Sequence, residues 1–190
     1  MGRIVATEFA SMDGVIEAPG GGGDFKHAGW TDGISSGDAG TRFKYEELME
    51  AEVQLLGRVT YEGFAAAWPG MVAETGDFGA KMNDMPKYVV SSSLRTAEWK
   101  NSTVLSGDVL EEVRGLKDRV AGVILVSGSS QLVQTLIEHE LVDELRLMIH
   151  PVVLGSGRKV FGDLKERKRF ALIDSQVMGD VVLLTFRRNA

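Results

Sequence analysis

Apolar residues along the chain form short runs that alternate with stretches of helical spacing. The clearest run is Gly122-Val123-Ile124-Leu125-Val126, which is typical of a strand buried on both faces of a parallel sheet. Similar short runs predict further strands, because a strand needs only four to eight residues whereas a helix needs a longer pattern. These runs cover residues 3–9, 53–56, 87–90, 103–105 and 143–149.

Helices are predicted where apolar residues recur every three or four positions. One such pattern covers residues 109–117, and Asp108 in front of it can accept hydrogen bonds from the first helical N–H groups. The same spacing predicts helices over residues 41–52, from about Thr60 to just before Pro69, and after the Ser127-Gly128-Ser129-Ser130 segment.

Two apolar stretches near the end, 170–177 and 181–187, flank the turn Met178-Gly179-Asp180 and predict a β-hairpin. Alternating strands and helices followed by a hairpin predict a three-layer α/β fold, in which helices cover a mostly parallel central sheet with an antiparallel C-terminal hairpin. We predict that the remaining segments, 10–40 and 70–86, are exposed loops. The first contains four consecutive glycines and is long enough to be either a lid or a disordered insertion.

Composition narrows the class of protein. A chain of 190 residues can bury one core, so we predict a single domain over residues 1–190. Its 44% hydrophobic and 25% charged residues are typical of a globular protein. The net charge of −6 argues against nonspecific binding to nucleic acid or to an anionic membrane, so any phosphate-binding site must be local.

The chain has no cysteine, which excludes disulfides, thiolate catalysis and cysteine-bound metals. Its histidines, His27, His139 and His150, lack metal-ligand spacing, so no metal site is predicted. No apolar run approaches membrane-spanning length, and a strand pattern already begins at Arg3 where a leader would lie. We therefore expect a cytoplasmic protein.

Small, hydroxyl and basic residues gather where three predicted strands end. In an open α/β sheet such ends meet at one edge, where helix N-termini offer free N–H groups and partial positive charge to phosphate. Each junction alone is also explained by a tight turn, a helix cap or a surface charge. Together they predict a site for a ligand with several phosphates, although the usual G-x-G-x-x-G motif is absent after the first strand. The junctions are Gly57-Arg58-Val59-Thr60, Ser91-Ser92-Ser93-Leu94-Arg95 and Ser127-Gly128-Ser129-Ser130-Gln131.

Four segments resemble motifs of known reductases. Gly57-Arg58-Val59-Thr60-Tyr61-Glu62 resembles the Gly-Arg-x-Thr-aromatic-Glu motif of dihydrofolate reductases, and Val126-Ser127-Gly128-Ser129-Ser130 resembles their glycine-rich pyrophosphate loop. Ser11-Met12-Asp13-Gly14 is similar to the Ser-Leu-Asp-Gly of the reductase domain of riboflavin biosynthesis. His150-Pro151-Val152-Val153-Leu154-Gly155-Ser156-Gly157, followed by Val160-Phe161, matches the same branch. The chain thus resembles the dihydrofolate-reductase-like fold family, in the riboflavin-reductase branch, over nearly its whole length.

The resemblance implies NADPH as the cofactor, since an arginine beside hydroxyl groups suits a 2′-phosphate. It implies that Arg58 and Thr60, next to Gly57, hold the adenosine-side phosphates, with Ser91 and Ser92 near the 2′-phosphate and the adenine ribose. The pyrophosphate would contact Ser127, Gly128, Ser129, Ser130 and Gln131. The nicotinamide would be flanked by Ala6, Val15 and Ile16, residue types that are more commonly part of a core.

Two residues are candidates for catalysis. Asp13 would lie beside the nicotinamide and bind substrate or assist proton transfer, although Asp-Gly is also a common turn signal. His150 ends a predicted strand, where its ring either faces a pocket or only packs. Dihydrofolate reductases carry a buried carboxylate on their first helix. The corresponding glutamates here, at positions 46, 47 and 50, are expected to be solvated.

Four aromatic residues, Trp30, Tyr61, Phe64 and Trp68, have the flat surface that stacks on a heterocycle. The last three also recur at helical spacing, which favours core packing. Three hypotheses of function remain open. The first is an NADPH-dependent reductase of a small heterocyclic or carbonyl substrate, and the second is a nonenzymatic NADP(H)-binding module. In the third, the chain is mainly a homodimer-forming partner whose C-terminal hairpin pairs across a two-fold axis.

Overall fold

The computed structural model describes residues 1–189 and contains an eight-stranded sheet with helices on both faces. The strands are β1 (Arg3–Ser11), β2 (Ala51–Gly57), β3 (Lys87–Val90), β4 (Ser102–Leu105), β5 (Val123–Val126), β6 (Glu144–His150), β7 (Phe170–Met178) and β8 (Val181–Arg188). The helices are α1 (Gly37–Glu50), α2 (Arg58–Ala67), α3 (Val72–Thr75), α4 (Asp77–Asp84), α5 (Val109–Arg119) and α6 (Ser130–Glu138), with a 3-10 turn at Trp68–Gly70.

The strand order across the sheet is β4-β3-β2-β5-β1-β6-β8-β7. The first six strands pair in parallel, whereas β8 is antiparallel to both β6 and β7. This arrangement confirms the predicted mostly parallel sheet with an antiparallel C-terminal hairpin. All four residues of β5 are buried, because β5 lies between β1 and β2 with helices above and below it.

Side-chain alternation along β1 separates two apolar cores. Ile4 and Ala6 pack with α5 and α6 on one face of the sheet, where Leu116 and Leu136 are fully buried. Val5 packs on the other face in a second cluster that includes Leu48 of α1, Tyr61 of α2 and Met82 of α4. The sheet is thus the middle of three layers.

The prediction of an exposed loop over residues 70–86 is wrong. That segment contains α3 and α4, which are separated by Gly76 at a φ of +56°. Phe78, Met82 and Met85 repeat at helical intervals and pack into the cluster of Val5 and Leu48. The boundaries of other elements also shift, since β1 extends to Ser11 and α1 begins at Gly37 rather than Thr41.

The long segment between β1 and α1 is attached to the rest of the fold. Val15 forms an isolated bridge with Lys159, and the Trp30 side chain is buried and donates a hydrogen bond to the Glu17 carbonyl at 2.8 Å. The Val15 bridge, with backbone hydrogen bonds from Ile16 to Arg158 and from Val160 to Gly14, holds the segment against residues 151–160, which follow β6, and the Trp30 bond closes the segment on itself. Across residues 1–189, no helix combines the length and the apolarity that crossing a bilayer requires.

Candidate functional site

Two neighbouring central strands send the chain in opposite directions at their carboxyl ends. From β1 the chain crosses β5 to reach β2, whereas from β5 it crosses β1 to reach β6. In open α/β sheets ligands bind in the crevice that such diverging connections leave. All three junctions predicted from the sequence lie at this edge, because β2 ends at Gly57, β3 at Val90 and β5 at Val126.

The N-termini of α2 and α6 meet at this edge. The Gly57 N–H donates to the Gly128 carbonyl at 3.4 Å, and a Cβ added to Gly57 would lie 2.1 Å from the Ser129 Oγ. A side chain at position 57 would therefore displace Ser129. The two N-cap residues, Gly57 and Ser129, make no side-chain hydrogen bond to their helices, whereas Asp108 caps α5 through the N–H groups of Leu110 and Glu111. The positive ends of α2 and α6 thus converge with their first N–H groups uncapped by the N-cap side chains.

Gly128 lies between the two helix N-termini. Its φ of +83° favours glycine, and the peptide bond that follows it is cis. A Cβ at this position would lie 2.9 Å from the Thr60 Oγ1, so a side chain here would fill the space beside Thr60. The structure therefore brings together the predicted cofactor residues Gly57, Thr60, Gly128 and Ser129. Ser127 and Ser130 flank them, and Gln131 is exposed in the first turn of α6.

Arg58 and Ser91 lie next to each other at the ends of β2 and β3, because Gly57 pairs with Val90. Ser91 is buried, and its Oγ accepts hydrogen bonds from the N–H groups of Ser93 and Leu94, whereas Ser92 is exposed. The Arg58 guanidinium is half-exposed and pairs with the Glu62 carboxylate at 2.8 Å. An exposed pair of this spacing contributes only about 0.3–0.5 kcal/mol, so Arg58 is free to turn toward a phosphate.

The three apolar residues predicted at the nicotinamide are all buried. Ala6 and Ile16 belong to the core cluster on the α5–α6 face, and Val15 packs near Gly157. Ala6 pairs with Val126, so it lies beside the end of β5 and close to the glycine-rich loop. Core packing accounts for all three residues, and their contact with a nicotinamide stays a prediction.

Asp13 connects the segment after β1 to the segment after β6. Its Oδ1 accepts hydrogen bonds from the Ser11 hydroxyl at 2.8 Å and the Leu154 N–H at 3.1 Å, and its Oδ2 accepts from the Gly155 N–H at 2.8 Å. These bonds lower the pKa of Asp13 to about 2, and the bond from the Leu154 N–H has the largest effect. A carboxylate that holds no proton at neutral pH fits an anchor between loops. A catalytic role for Asp13 stays a prediction.

His150 is buried under Trp30 at the end of β6. Its ring lies 5.4 Å from the Trp30 ring and 5.2 Å from Phe9, and its Nδ1 contacts the Met148 carbonyl at 2.9 Å. Burial lowers its pKa from the ordinary value despite this backbone contact. The imidazole is thus neutral at physiological pH and belongs to an aromatic wall on the α1 side of the sheet.

The prediction that the glutamates of α1 are solvated is wrong for Glu47. Its carboxylate is buried and accepts from Lys44 through Oε2 and from Arg146 through Oε1, the latter at 3.2 Å. Lys44 also donates to the Thr7 hydroxyl at 3.2 Å and lies 5.4 Å from the Phe9 ring centroid. Both Glu47 oxygens are therefore engaged, and the polar group that α1 presents to β1 is a lysine.

Sequence reasoning missed Lys44, Glu47, Arg146 and Glu8. The signal for Glu8 was visible, because it is a carboxylate in the middle of a central apolar strand. The ion pair between Glu47 and Arg146 joins residues 99 positions apart and has no local signal.

Tyr61 packs in the core, which is the role that its helical spacing favours. Its ring is buried, and its hydroxyl accepts a hydrogen bond from the Trp99 N–H. Within residues 1–189, no three histidine or acidic side chains cluster closely enough to hold a metal ion.

The order of the strands and the loops at the carboxyl edge are those of a dihydrofolate-reductase-like fold. The chain belongs to the RibD C-terminal domain family, whose model matches residues 3–184. Two relatives in Bacillus subtilis strain 168 are uncharacterised proteins. YyaP is 35% identical over 104 residues, which cover 54% of this chain and 55% of YyaP. YwjB is 26% identical over 179 residues, which cover 94% of this chain and 93% of YwjB.

Solved structures share the fold at low identity. A protein from Shewanella sp. PV-4 described as a riboflavin biosynthesis protein aligns with a TM-score of 0.77 at 18% identity over 99% of both chains. Dihydrofolate reductase from Enterococcus faecalis, complexed with NADP(H), aligns with a TM-score of 0.59 at 17% identity, over 99% of this chain and 97% of the reductase chain. The Thermotoga maritima deaminase/reductase aligns with a TM-score of 0.66 at 17% identity, over 98% of this chain and 56% of that longer protein.

Proposed function

We propose that the protein is an NADPH-dependent reductase of a small heterocyclic or carbonyl substrate. The observation that carries the proposal is the meeting of two helix N-termini, uncapped by their N-cap side chains, at Gly57 and Ser129. A dinucleotide pyrophosphate needs several N–H donors and positive partial charge in one place, and these helix ends supply both. Membership of the RibD C-terminal domain family and the fold shared with an NADP(H)-binding reductase support it.

The residues of the chain divide the work of such a reductase. Gly128, Ser129 and Thr60 would hold the pyrophosphate, and Arg58 would hold the 2′-phosphate. The bound cofactor supplies the hydride, while the protein orients it and excludes water. The aromatic wall of Phe9, Trp30 and His150 on the α1 side would receive a flat substrate, and the Lys44 ammonium above Phe9 would contact its polar atoms.

Calorimetry with NADPH and NADH tests the cofactor assignment. We expect NADPH to bind more tightly than NADH, and Arg58→Ala to weaken NADPH binding about tenfold while leaving NADH nearly unchanged, because only NADPH carries the 2′-phosphate. Arg114→Ala removes an exposed arginine on α5 and is the matched control. Equal affinity of the wild-type protein for both cofactors would refute the role of Arg58.

The state of Glu47 favours a second candidate function, a nonenzymatic NADP(H)-binding module. The buried carboxylate of α1 is neutralised by Lys44 and Arg146, so it is not free to bind and protonate a pterin in the manner of dihydrofolate reductases. A screen of pteridines, flavin precursors and quinones, monitored by NADPH absorbance, separates the two candidates. Cofactor binding without NADPH oxidation by any substrate would favour the module.

The C-terminal hairpin supports a homodimer as part of this proposal. β7 is an edge strand, and the apolar side chains of Leu172, Ile173 and Val177 on it are exposed, next to Val182 of β8. An exposed apolar edge is a surface that a second copy can cover. Light scattering should give the dimer mass for the wild-type protein and the monomer mass for Val177→Lys. A monomeric wild-type protein would refute it.

A further inference from the structure

Glu8 is a buried carboxyl without a hydrogen-bond partner for its Oε1. It lies on β1 between Ala6 and Ala10, on the face of the sheet that α5 and α6 cover, and its residue is only 8% exposed. Its partner in register on β6 is Leu147, another buried apolar residue. A buried carboxyl in apolar surroundings is costly unless it is hydrogen-bonded or paired, because it gives up its hydration.

The surroundings of Glu8 place it at the nucleotide loop. The pairing of β1 with β5 ends at Ala6 and Val126, so β1 continues past the end of β5 and runs beside residues 127–129. A Cβ added to Gly128 would lie 3.9 Å from the Glu8 Oε1 and 2.9 Å from the Thr60 Oγ1. Glu8 and Thr60 therefore face the same glycine, one from β1 and the other from α2.

Burial keeps this carboxyl protonated at pH 7. Burial raises the pKa of Glu8 to about 8, against the opposing effect of the Lys44 ammonium and of the Gly128 N–H, while Glu47 raises it slightly further. Lys44 and Glu47 are both on α1 and pair with each other. The groups from the other neighbouring elements, Gly128, Thr60 and Leu147, carry no charge.

We propose that the protonated Glu8 carboxyl donates a hydrogen bond to a phosphate oxygen of the dinucleotide held at Gly128, so that cofactor binding requires a proton at this residue. The inference rests on the proposed function, since it takes NADPH as the ligand. An ionised carboxylate beside Gly128 would repel a pyrophosphate, whereas a neutral carboxyl offers it an O–H donor. The ligand phosphate would thus supply the hydrogen-bond partner that the buried Glu8 Oε1 lacks.

The affinity for NADPH should depend on pH in a way that Glu8 determines. Between pH 7 and pH 9 the free carboxyl loses its proton, so we expect the Kd for NADPH to rise about tenfold. Glu8→Gln keeps a hydrogen-bond donor that does not titrate, and its Kd should stay constant over this range. Glu46→Gln, which changes an exposed glutamate of α1, should keep the wild-type dependence.

The experiment is calorimetry of NADPH binding at pH 7, 8 and 9, repeated at pH 8.5 in two buffers of different ionisation enthalpy to count protons. Wild type should take up a sizeable fraction of a proton at pH 8.5, and Glu8→Gln close to none. Failure to bind NADPH at pH 7 would overturn both this inference and the proposed function. Binding by wild type that is independent of pH, or a pH dependence that persists in Glu8→Gln, would overturn the role of Glu8 alone. If Glu8→Gln fails to fold, Glu8→Ala takes its place: it removes the titrating carboxyl and should likewise lose the pH dependence.

Discussion

Gly57 offers a direct test of the contact between α2 and α6. Its φ of −76° is ordinary, so an alanine there meets no backbone strain, and the whole effect of Gly57→Ala comes from the new methyl group. That methyl group would lie 2.1 Å from the Ser129 Oγ, 3.0 Å from its Cβ and 3.2 Å from its backbone nitrogen. Rotation of the Ser129 hydroxyl relieves the closest of these contacts, but the Cβ and backbone nitrogen of Ser129 must still shift by a few tenths of an ångström, which moves the N-terminus of α6 away from that of α2.

Overpacking of this kind costs about 1–3 kcal/mol, and alanine is also a poorer N-cap than glycine. We expect Gly57→Ala to lower the free energy of unfolding by about 2 kcal/mol and to weaken NADPH binding, since the displaced loop no longer presents Gly128 and Ser129 together. Gly63→Ala is the matched control. Gly63 is exposed within α2 with no atom within 4 Å of an added Cβ, so alanine there should raise stability by about 0.5–1 kcal/mol.

Urea denaturation gives the stabilities, and calorimetry gives the NADPH affinities. The double variant Gly57→Ala/Ser129→Gly removes both side-chain atoms that the methyl group meets, and it should recover most of the lost stability. A Gly57→Ala protein within about 0.5 kcal/mol of wild type would refute the close contact. A destabilised variant with unchanged NADPH affinity would instead show that the contact between the helix ends is structural only.

Two further predictions concern buried and loop-anchoring charges. The Lys87 ammonium is fully buried and donates hydrogen bonds to the carbonyls of Asn83, Met85 and Lys100. Lys87→Met should therefore lower the free energy of unfolding, measured by urea denaturation, by about 2–3 kcal/mol. The control Lys100→Met, which changes an exposed lysine, should lower it by less than about 1 kcal/mol. Burial lowers the pKa of Lys87 to about 8, so above that pH the unfolded chain binds more protons than the folded one. The stability of the wild-type protein should therefore rise between about pH 8 and pH 10 by an increment that Lys87→Met lacks. Equal slopes of stability against pH for the two proteins would contradict this. The pKa of Asp13 is lowered to about 2, so its contribution to stability is complete above about pH 4 and is lost as the pH falls toward 2. Asp13→Asn should flatten thermal stability over that acid range, and a slope identical to wild type would show that the three hydrogen bonds to Asp13 do not stabilise the loop.

The sheet was predictable where burial imposes a pattern on one segment by itself. Val123–Val126 has to be apolar at every position because helices cover both faces of the central strand, and that requirement is visible without the rest of the chain. The helix Asp77–Asp84 was missed because it is only eight residues long, so the helical spacing of Phe78, Met82 and Met85 extends over barely two turns. Its packing against Val5 and Leu48 stabilises a helix that the local sequence indicates only weakly.

The same distinction applies to the candidate site. Gly57, Thr60 and Gly128 were identified as candidates because phosphate binding at strand ends requires particular residue types in a short segment, and the structure brings these three residues together. The contact of Gly57 with Ser129 across 72 positions then follows from the order β2-β5-β1, which brings the ends of β2 and β5 together. Charged residues whose burial depends on another strand carry no such local requirement.

Glu8 lies between these two cases. A carboxylate within the apolar run of β1 is visible in the sequence, but its meaning depends on where β5 stops. If β5 extended two residues further, Glu8 would face a paired strand and would be a buried charge with no ligand to meet. Because β5 ends at Val126, the glycine-rich loop occupies that place, and an acid that would destabilise an ordinary strand interior lies beside the proposed phosphate site. The register of two strands therefore decides whether Glu8 is only destabilising or can take the role proposed for it, and the pH dependence of NADPH binding distinguishes the two.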